Sequence, residues 1–284
     1  MPYFTANDDV KLWYDLVGEG TPLIVLPGGP GLDLRYMGDI GGLHRHRQLV
    51  LLDGRAAGRS QTPGDRSTVS FAKQAHDVEA LRVHLGLEQF DLLAHSAGCL
   101  TAQEYAAAYS GRIRRAVLVA PVGRAGREPD DAELAQLHAS RANEPWYADA
   151  AEAERLVAEG RSGADPDELQ RRIRPFFWYR WTELRHEEYP ADHACRHPWL
   201  RQAFYAGSAS PDTLAERLAR LAGSGLRPLV VAGAADGMIG VAPARAVAAC
   251  HPGSRLEVLE RAGHRVWVEE PERFRTLVTE FLGG

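Results

Sequence analysis

Short apolar runs alternate with helical stretches along the first part of the chain, and this alternation constrains the fold more than any other feature. Four runs rich in Leu, Val and Ala, each followed by Pro or a polar residue, cover 23–26, 48–52, 90–94 and 116–120. Such runs are typical of strands that are buried on both faces. Because helical spacing fills 71–85 and 97–109 between them, the sequence predicts a parallel sheet flanked by helices.

The rest of the chain predicts a sheet edge and an insertion. Tyr3-Phe4 and the run 10–14 flank a polar Asn-Asp-Asp turn, which predicts an antiparallel hairpin and therefore a mixed sheet. The alternation resumes with strands over 228–233 and 255–259 and helices over 242–250 and 271–282. Between the two parts, the chain is rich in Arg, Glu and Ala at helical spacing. We therefore expect a core formed by 1–122 and 226–284 and a helical lid over 123–225.

Composition narrows the classes of partner and compartment. The 284 residues include 33 basic and 38 acidic side chains, a formal net charge of -5, so no nucleic-acid partner is expected. Cys99, Cys195 and Cys250 include no close pair, which predicts neither a disulfide framework nor a zinc cluster. The chain begins without a basic and apolar leader, and no apolar run reaches the ~20 residues that span a bilayer. We expect a cytoplasmic protein with no membrane partner and leave its oligomeric state open.

The segment Ala94-His95-Ser96-Ala97-Gly98 joins an apolar run to a predicted helix. A serine at such a strand-to-helix turn presents its hydroxyl, and small residues two positions before and after it let the two backbones approach. The usual pattern is Gly-x-Ser-x-Gly, from which this turn differs by one methyl group at Ala94. Ser96 is therefore a candidate nucleophile; the alternative is an ordinary helix N-cap serine.

A second turn, Pro27-Gly28-Gly29-Pro30-Gly31, follows an earlier apolar run. Glycines at the carboxyl end of a strand can turn a backbone N–H toward a neighbouring anion, and acyl transfer needs two such donors where the oxyanion develops. We predict that the Gly29 and Ala97 N–H groups form this oxyanion hole. The alternative is a turn that only reverses the chain.

A nucleophilic serine needs a base, and the base needs an orienting acid. His264 is the best candidate base, because it follows the strand over 255–259 and precedes the last helix. Asp236 follows the strand over 228–233 and gives the order Ser, Asp, His along the chain. His95 is expected to point away from Ser96, since adjacent side chains on a tight turn diverge. Asp53, at the end of another strand, is expected to fix its own turn.

The order and spacing of these motifs resemble the α/β-hydrolase superfamily over nearly the whole chain outside the lid. Within it, 27–31 and 53–60, which reads Asp-Gly-Arg-Ala-Ala-Gly-Arg-Ser, resemble the proline iminopeptidase branch. That branch carries His-Gly-Gly-Pro-Gly and Asp-x-Arg-Gly-x-Gly-x-Ser. This chain departs from it at Pro27, Ala56 and Ala97, where the branch has His, Gly and usually Trp. The resemblance implies the α/β-hydrolase fold and an acyl-transfer activity.

One lid segment, Trp178-Tyr179-Arg180-Trp181-Thr182-Glu183, is similar to the Trp-rich, Glu-containing lid helix with which iminopeptidases hold the free amine of a substrate. The resemblance implies that Glu183, Trp178 and Trp181 contact the substrate; the alternative is ordinary lid packing. Other lid aromatics suggest an apolar pocket for a small molecule or a short peptide end. These are Phe176, Phe177, Trp199 and Phe204.

The combined prediction is a serine hydrolase in which Ser96 attacks an acyl carbon, His264 moves the proton and Asp236 orients the imidazole. The substrate class is a small ester or amide, as in proline iminopeptidases. The alternatives are a lactone or thioester hydrolase, a non-hydrolytic tailoring enzyme of natural-product biosynthesis, and a ligand-binding protein with an idle triad. The sequence contains no recognisable metal set, Walker loop or dinucleotide fingerprint, so no metal and no cofactor are expected.

Overall fold

The apolar runs form the centre of a single sheet. The computed structural model describes residues 2–160, 166–182, 184–187 and 197–283. Its strands are β1 (Tyr3–Thr5), β2 (Lys11–Val17), β3 (Pro22–Leu26), β4 (Gln48–Leu52), β5 (Phe90–His95), β6 (Ile113–Val119), β7 (Leu229–Gly233) and β8 (Arg255–Leu259). They lie in the order β1-β2-β4-β3-β5-β6-β7-β8. The β1–β2 and β2–β4 pairs are antiparallel and the other pairs are parallel, which confirms the mixed, mostly parallel sheet.

Helices cover both faces of this sheet. In chain order the helices are α1 (Phe71–His84), α2 (Gly98–Ala108), α3 (Asp131–Ala139), α4 (Tyr147–Ala158), α5 (Pro166–Ile173), α6 (Leu184–Glu187), α7 (Leu200–Tyr205), α8 (Pro211–Gly223), α9 (Ala242–Cys250), α10 (Val266–Glu269) and α11 (Pro271–Leu282). Buried side chains of α1, α2 and α9 pack on one face, and those of α10 and α11 pack on the other. Within the described residues, no helix is both long and apolar enough to cross a bilayer.

Successive side chains of β3 point to opposite faces of the sheet, so one apolar run contributes to the core on both faces. Ile24 and Leu26 belong to the core cluster under α1, α2 and α9, whereas Leu23 and Val25 belong to the cluster under α10 and α11. All four side chains are buried. Burial of each such side chain contributes about 1.5–3 kcal/mol, so a central strand has no position for a polar residue without a partner.

The start of β6 differs from its prediction. The apolar run predicts a strand from 116, but β6 begins at Ile113 and includes Arg114 and Arg115. Arg114 pairs with the buried Asp91 of β5, with an Nη2–Oδ2 distance of 2.6 Å, and Arg115 donates to the carbonyl of Phe281. Charged residues extend this strand because each has a partner, which an apolar pattern does not detect.

The segment between β6 and β7 is helical in its described part, where it contains α3 to α8 and no strand. Five buried residues from α4, α5 and the following turn form a small apolar cluster separate from the sheet: Ala150, Ala153, Leu169, Ile173 and Phe176. An inserted helical lid is therefore present on the core. Its boundaries at 123 and 225 remain a prediction.

Candidate active site

Ser96 lies at the turn between β5 and α2, in a conformation that L residues rarely adopt. Its φ is 53°, and its N–H donates to the carbonyl of Val119 at 2.8 Å. The first residue of α2, Gly98, packs directly on the end of β3: a Cβ there would lie 2.7 Å from the Leu26 carbonyl oxygen. The small residue two positions after the serine, Gly98, is therefore required for the helix to approach the strand, as the motif predicts.

The structure brings Ser96, His264 and Asp236 into one line of hydrogen bonds. His264 Nε2 lies 3.0 Å from Ser96 Oγ, and His264 Nδ1 lies 2.7 Å from Asp236 Oδ2. The three side chains are 2%, 4% and 1% exposed, so the line is shielded from bulk water. A carboxylate oxygen can only accept, so His264 Nδ1 carries the proton and Nε2 is free to accept one from the serine.

The acid is held by its own loop. Asp236 Oδ1 accepts hydrogen bonds from the N–H groups of Met238 at 3.0 Å and Ile239 at 3.2 Å. These two bonds fix the rotation of the carboxylate and leave Oδ2 directed at His264. Asp236 and His264, the predicted acid and base, are therefore held in this arrangement by the protein alone.

The Gly-rich loop after β3 packs against the nucleophile. A Cβ at Gly28 would lie 2.7 Å from the Ser96 Cβ, so this residue must be glycine for the loop to come so close. Gly29 has a φ of 122°, which also favours glycine. Among the described residues, no acceptor pairs with the Gly29 or Ala97 N–H. These two N–H groups therefore have no acceptor in the described protein, as the predicted oxyanion hole requires.

The comparisons with known proteins agree with this geometry. The family model described as the alpha/beta hydrolase fold matches residues 21–271. The chain belongs to the alpha/beta hydrolase family. The match begins just before β3 and ends at the start of α11, so it includes every loop of the site. It confirms the α/β-hydrolase fold and the expectation of a hydrolase.

Curated relatives of this hydrolase include proline iminopeptidases. The enzyme of that name from Clostridioides difficile is 25% identical over 96% of this chain and 95% of its own length. That from Clostridium botulinum is 32% identical over 114 residues, 38% of each chain. Among solved structures, an esterase from Rhodococcus superposes with a TM-score of 0.71 and 23% identity, covering 100% of this chain and 99% of its own. This last likeness is evidence of the fold alone.

The side chains predicted to bind substrate from the lid have different environments. Glu183 lies outside the described residues. Trp178 has 0% of its surface exposed, and its ring centroid lies 4.5 Å from the guanidinium group of Arg185 and 5.8 Å from that of Arg265. Trp181 is partly exposed. The Trp178 ring therefore has no free surface for a ligand in this conformation.

The lid segment that resembles a helix of iminopeptidases is not helical over 178–182; α6 begins only at Leu184. The backbone of this segment is used for other contacts. The N–H groups of Tyr179 and Arg180 donate to the Glu269 carboxylate at 3.1 and 2.9 Å, and the Gly263 N–H donates to it at 2.7 Å. Burial raises the pKa of Glu269, against the lowering effect of these three donors.

The preceding lid residues bind the loops of the acid and the base directly. The His264 N–H donates to the carbonyl of Phe177 at 2.7 Å, and the Gly237 N–H donates to that of Phe176 at 3.0 Å. His138 of α3 adds a bond from Nε2 to the Gly237 carbonyl at 2.7 Å. The lid therefore helps to hold the acid and base loops, a role that the sequence analysis did not foresee because Phe176 and Phe177 contribute backbone atoms.

The apolar surface next to the oxyanion loop comes from α7. Phe204 is buried in one cluster with Ala97, and Tyr205 and Met238 pack against that cluster with part of their surface exposed. Of the aromatic lid residues named in the sequence analysis, Phe204 is the one that shares a core cluster with Ala97. The neighbouring Tyr205 carried no signal in the sequence beyond its position in a helix.

Other titratable groups near the site have structural partners. Asp53 accepts from the N–H groups of Leu34 at 2.7 Å and Arg59 at 3.0 Å, and burial raises its pKa to about 6. It fixes its own turn through Arg59, joins that turn to the segment of Leu34, and does not reach His264. In the described ranges, no group of three or more His, Cys, Asp and Glu side chains is arranged to hold a metal ion.

Proposed function

We propose that this hydrolase cleaves small esters by covalent catalysis, with Ser96 as nucleophile, His264 as general base and Asp236 as its orienting acid. One observation carries the proposal: the continuous hydrogen-bonded line from Ser96 Oγ through both nitrogens of His264 to Asp236 Oδ2. This arrangement is the one that nucleophilic acyl transfer requires. A ligand-binding role does not require it.

In the proposed reaction, Ser96 Oγ attacks the acyl carbon while His264 Nε2 accepts the hydroxyl proton. The negative charge that develops on the acyl oxygen is stabilised by the Gly29 and Ala97 N–H groups. The protonated imidazole, stabilised by Asp236, then donates its proton to the leaving alcohol, and the acyl group stays on Ser96. Water, activated by the same histidine, releases the acid and restores the serine.

A cavity beside the oxyanion loop supports a small acyl group. It has a volume of about 50 Å³ and is lined by residues of the loop, of α1, of the start of α2 and of α7, together with residues of β2 and β4. Its lining includes Pro27, Gly28, Gly98, Leu200 and Phe204. Its small volume favours a short acyl group, and its walls are mostly apolar, as in other sites for small molecules.

Two arginines favour an ester substrate over an aminoacyl substrate. Arg127 donates from Nη2 to the carbonyl of Met238 at 2.8 Å, in the loop that carries Asp236. Burial and the charge of Arg201, on α7, lower the pKa of Arg127, while the charges of Asp236 and Asp131 act in the opposite direction. Within the described residues, neither has a carboxylate at ion-pair distance. We expect the positive charge of Arg127, which is bonded to the loop of Asp236, to oppose the ammonium group of an aminoacyl substrate at Ser96.

A free-amine peptidase activity remains the second candidate, supported by the relatives named proline iminopeptidase and by the predicted role of Glu183. A lactone or thioester hydrolase would use the same steps on a different acyl group. A tailoring enzyme would transfer the acyl group without water, and an idle triad would not turn over any acyl substrate.

The substrate class can be tested with three substrates: a butyrate p-nitrophenyl ester, a prolyl p-nitroanilide and its N-acetylated form. We expect the ester to have the highest kcat/KM. The prolyl anilide, with its free amine, should have no higher kcat/KM than its N-acetylated form. The reason is that positive charge from Arg127 and Arg201 disfavours a second cation nearby. Initial rates on the wild type and on Glu183→Gln measure this directly.

The matched control is Glu152→Gln, which removes an exposed lid carboxylate that pairs with Arg155 on α4. It should leave all three kcat/KM values unchanged. If the free-amine anilide is much the best substrate, and Glu183→Gln but not Glu152→Gln abolishes that advantage, the ester assignment is wrong and the iminopeptidase assignment stands.

A further inference from the structure

A buried chain of hydrogen bonds runs behind the triad. The Gly28 N–H donates to the Tyr36 hydroxyl, which lies 2.7 Å from His95 Nδ1. At the other side of the ring, His95 Nε2 lies 3.0 Å from the carbonyl oxygen of His264. Tyr36 is 6% exposed and His95 is 2% exposed, so the chain excludes bulk water.

For a neutral His95 ring, one assignment of protons satisfies every bond in this chain. A backbone carbonyl can only accept, so His95 Nε2 carries a hydrogen and donates it to His264. His95 Nδ1 then has a lone pair and accepts from the Tyr36 hydroxyl, whose oxygen in turn accepts from the Gly28 N–H. Burial and the neighbouring His264 hold the pKa of His95 well below its ordinary value, which agrees with a neutral ring.

This chain of hydrogen bonds joins the three elements of the site whose positions relative to one another must stay fixed. Gly28 precedes the proposed oxyanion donor Gly29, His95 precedes the proposed nucleophile, and His264 is the proposed base. The rings also pack together: the His95 centroid is 4.7 Å from those of His264 and Trp267. Aligned donors and acceptors in a buried chain polarise one another, so the loss of one member weakens the others.

We propose that Tyr36 and His95 are positioning residues. They act through the backbone of Gly28–Gly29 and the backbone of His264, and they hold the proposed oxyanion donor and the proposed base at the correct positions relative to Ser96. The inference rests on the proposed function, since it assigns these residues to the same reaction. Neither side chain touches the Ser96 hydroxyl. Their effect should therefore be on the placement of groups that are needed only in the transition state.

Tyr36→Phe tests this inference with the loss of a single oxygen atom. We expect kcat for the butyrate ester to fall by about 10–100-fold with KM within about 3-fold of the wild type, since complete loss of an oxyanion donor costs about 10²–10³ and a displaced donor costs less. Affinity for a trifluoromethyl ketone, which forms an oxyanion on the enzyme, should fall by the same factor as kcat/KM. A general loss of structure would instead lower the fraction of active enzyme without changing its KM or kcat per active site.

Tyr14→Phe is a matched control for this variant. Tyr14 is also buried and its hydroxyl also contacts a histidine, with a distance of 3.2 Å to His84 Nε2. This pair joins β2 to the end of α1 and does not contact the triad. Tyr14→Phe should lower the melting temperature and leave kcat and ketone affinity unchanged. The double variant Tyr36→Phe/His95→Phe should lose no more activity than the worse single variant, because both residues act through one chain.

Nitrogen-15 NMR of the histidine side chains provides a readout that does not depend on turnover. The wild type should show His95 as the neutral Nε2–H form from pH 5 to pH 8. A different tautomer, a protonated His95, or a Tyr36→Phe variant with wild-type kcat and ketone affinity would overturn the inference while the ester activity stands. A wild type that hydrolyses no ester and is not labelled at Ser96 would overturn the proposed function, and this inference with it.

Discussion

His264→Ala is expected to lower kcat for the best ester by about 10⁴–10⁶-fold while the protein stays folded. The imidazole is the only group within hydrogen-bonding distance of Ser96 Oγ among the described residues, so no neighbouring base can replace it. The expected residual rate comes from the oxyanion donors and from substrate binding. Steady-state rates, with circular dichroism as a check on folding, measure the effect.

His76→Ala is the matched control for this variant. His76 is an exposed histidine of α1 whose Nδ1 contacts the Tyr109 hydroxyl, so its loss removes an imidazole without affecting the site. It should retain wild-type kcat. If His264→Ala also retains most of its activity, the base has been assigned to the wrong residue.

Asp236→Asn is expected to lower kcat by up to about 10⁴-fold with little change in KM. An amide can present its NH2 group to His264 Nδ1 and so favour the tautomer with the proton on Nε2. That imidazole cannot accept the proton of Ser96. Because Met238 and Ile239 still donate to the remaining oxygen, the loop should keep its shape and the loss should appear in kcat.

Asp53→Asn separates this effect from the loss of any buried carboxylate at a strand end. Asp53 accepts from the backbone N–H groups of Arg59, in its own turn, and of Leu34, in an earlier segment, and it does not contact His264. This variant should therefore lose stability but keep kcat within a few-fold. The reverse pattern, full activity in Asp236→Asn and loss in Asp53→Asn, would show that another carboxylate orients the base.

The sequence predicts those parts of the fold in which burial of side chains, or close approach of two backbones, requires a particular type of residue at a particular position. Central strands are buried on both faces and read as apolar runs, and the turn at Ser96 needs small residues at Gly98 and Gly28. His264 and Asp236 follow predicted strands at the edge where the carboxyl ends of parallel strands meet. Their mutual hydrogen bond is a consequence of this topology.

The parts that could not be predicted depend on pairs that are distant in the chain. Tyr36 and His95 are 59 residues apart, and Glu269 binds the backbone of Tyr179 from 90 residues away. The local sequence pattern does not indicate such pairs, because a polar residue in a turn has the same sequence context whether or not it has a distant partner. The non-helical course of 178–182 has the same cause, since its N–H groups donate to a carboxylate outside the segment.

The nucleophile is the central claim, and covalent labelling tests it most directly. The protein should be treated with a fluorophosphonate, digested, and the modified peptide identified by mass spectrometry, with His264→Ala treated in parallel. We expect a single adduct at Ser96 in the wild type and much slower labelling in His264→Ala, because the serine is nucleophilic only when the imidazole accepts its proton. An adduct at another serine, or a folded wild type that is not labelled, would contradict the assignment and favour a ligand-binding protein with an idle triad.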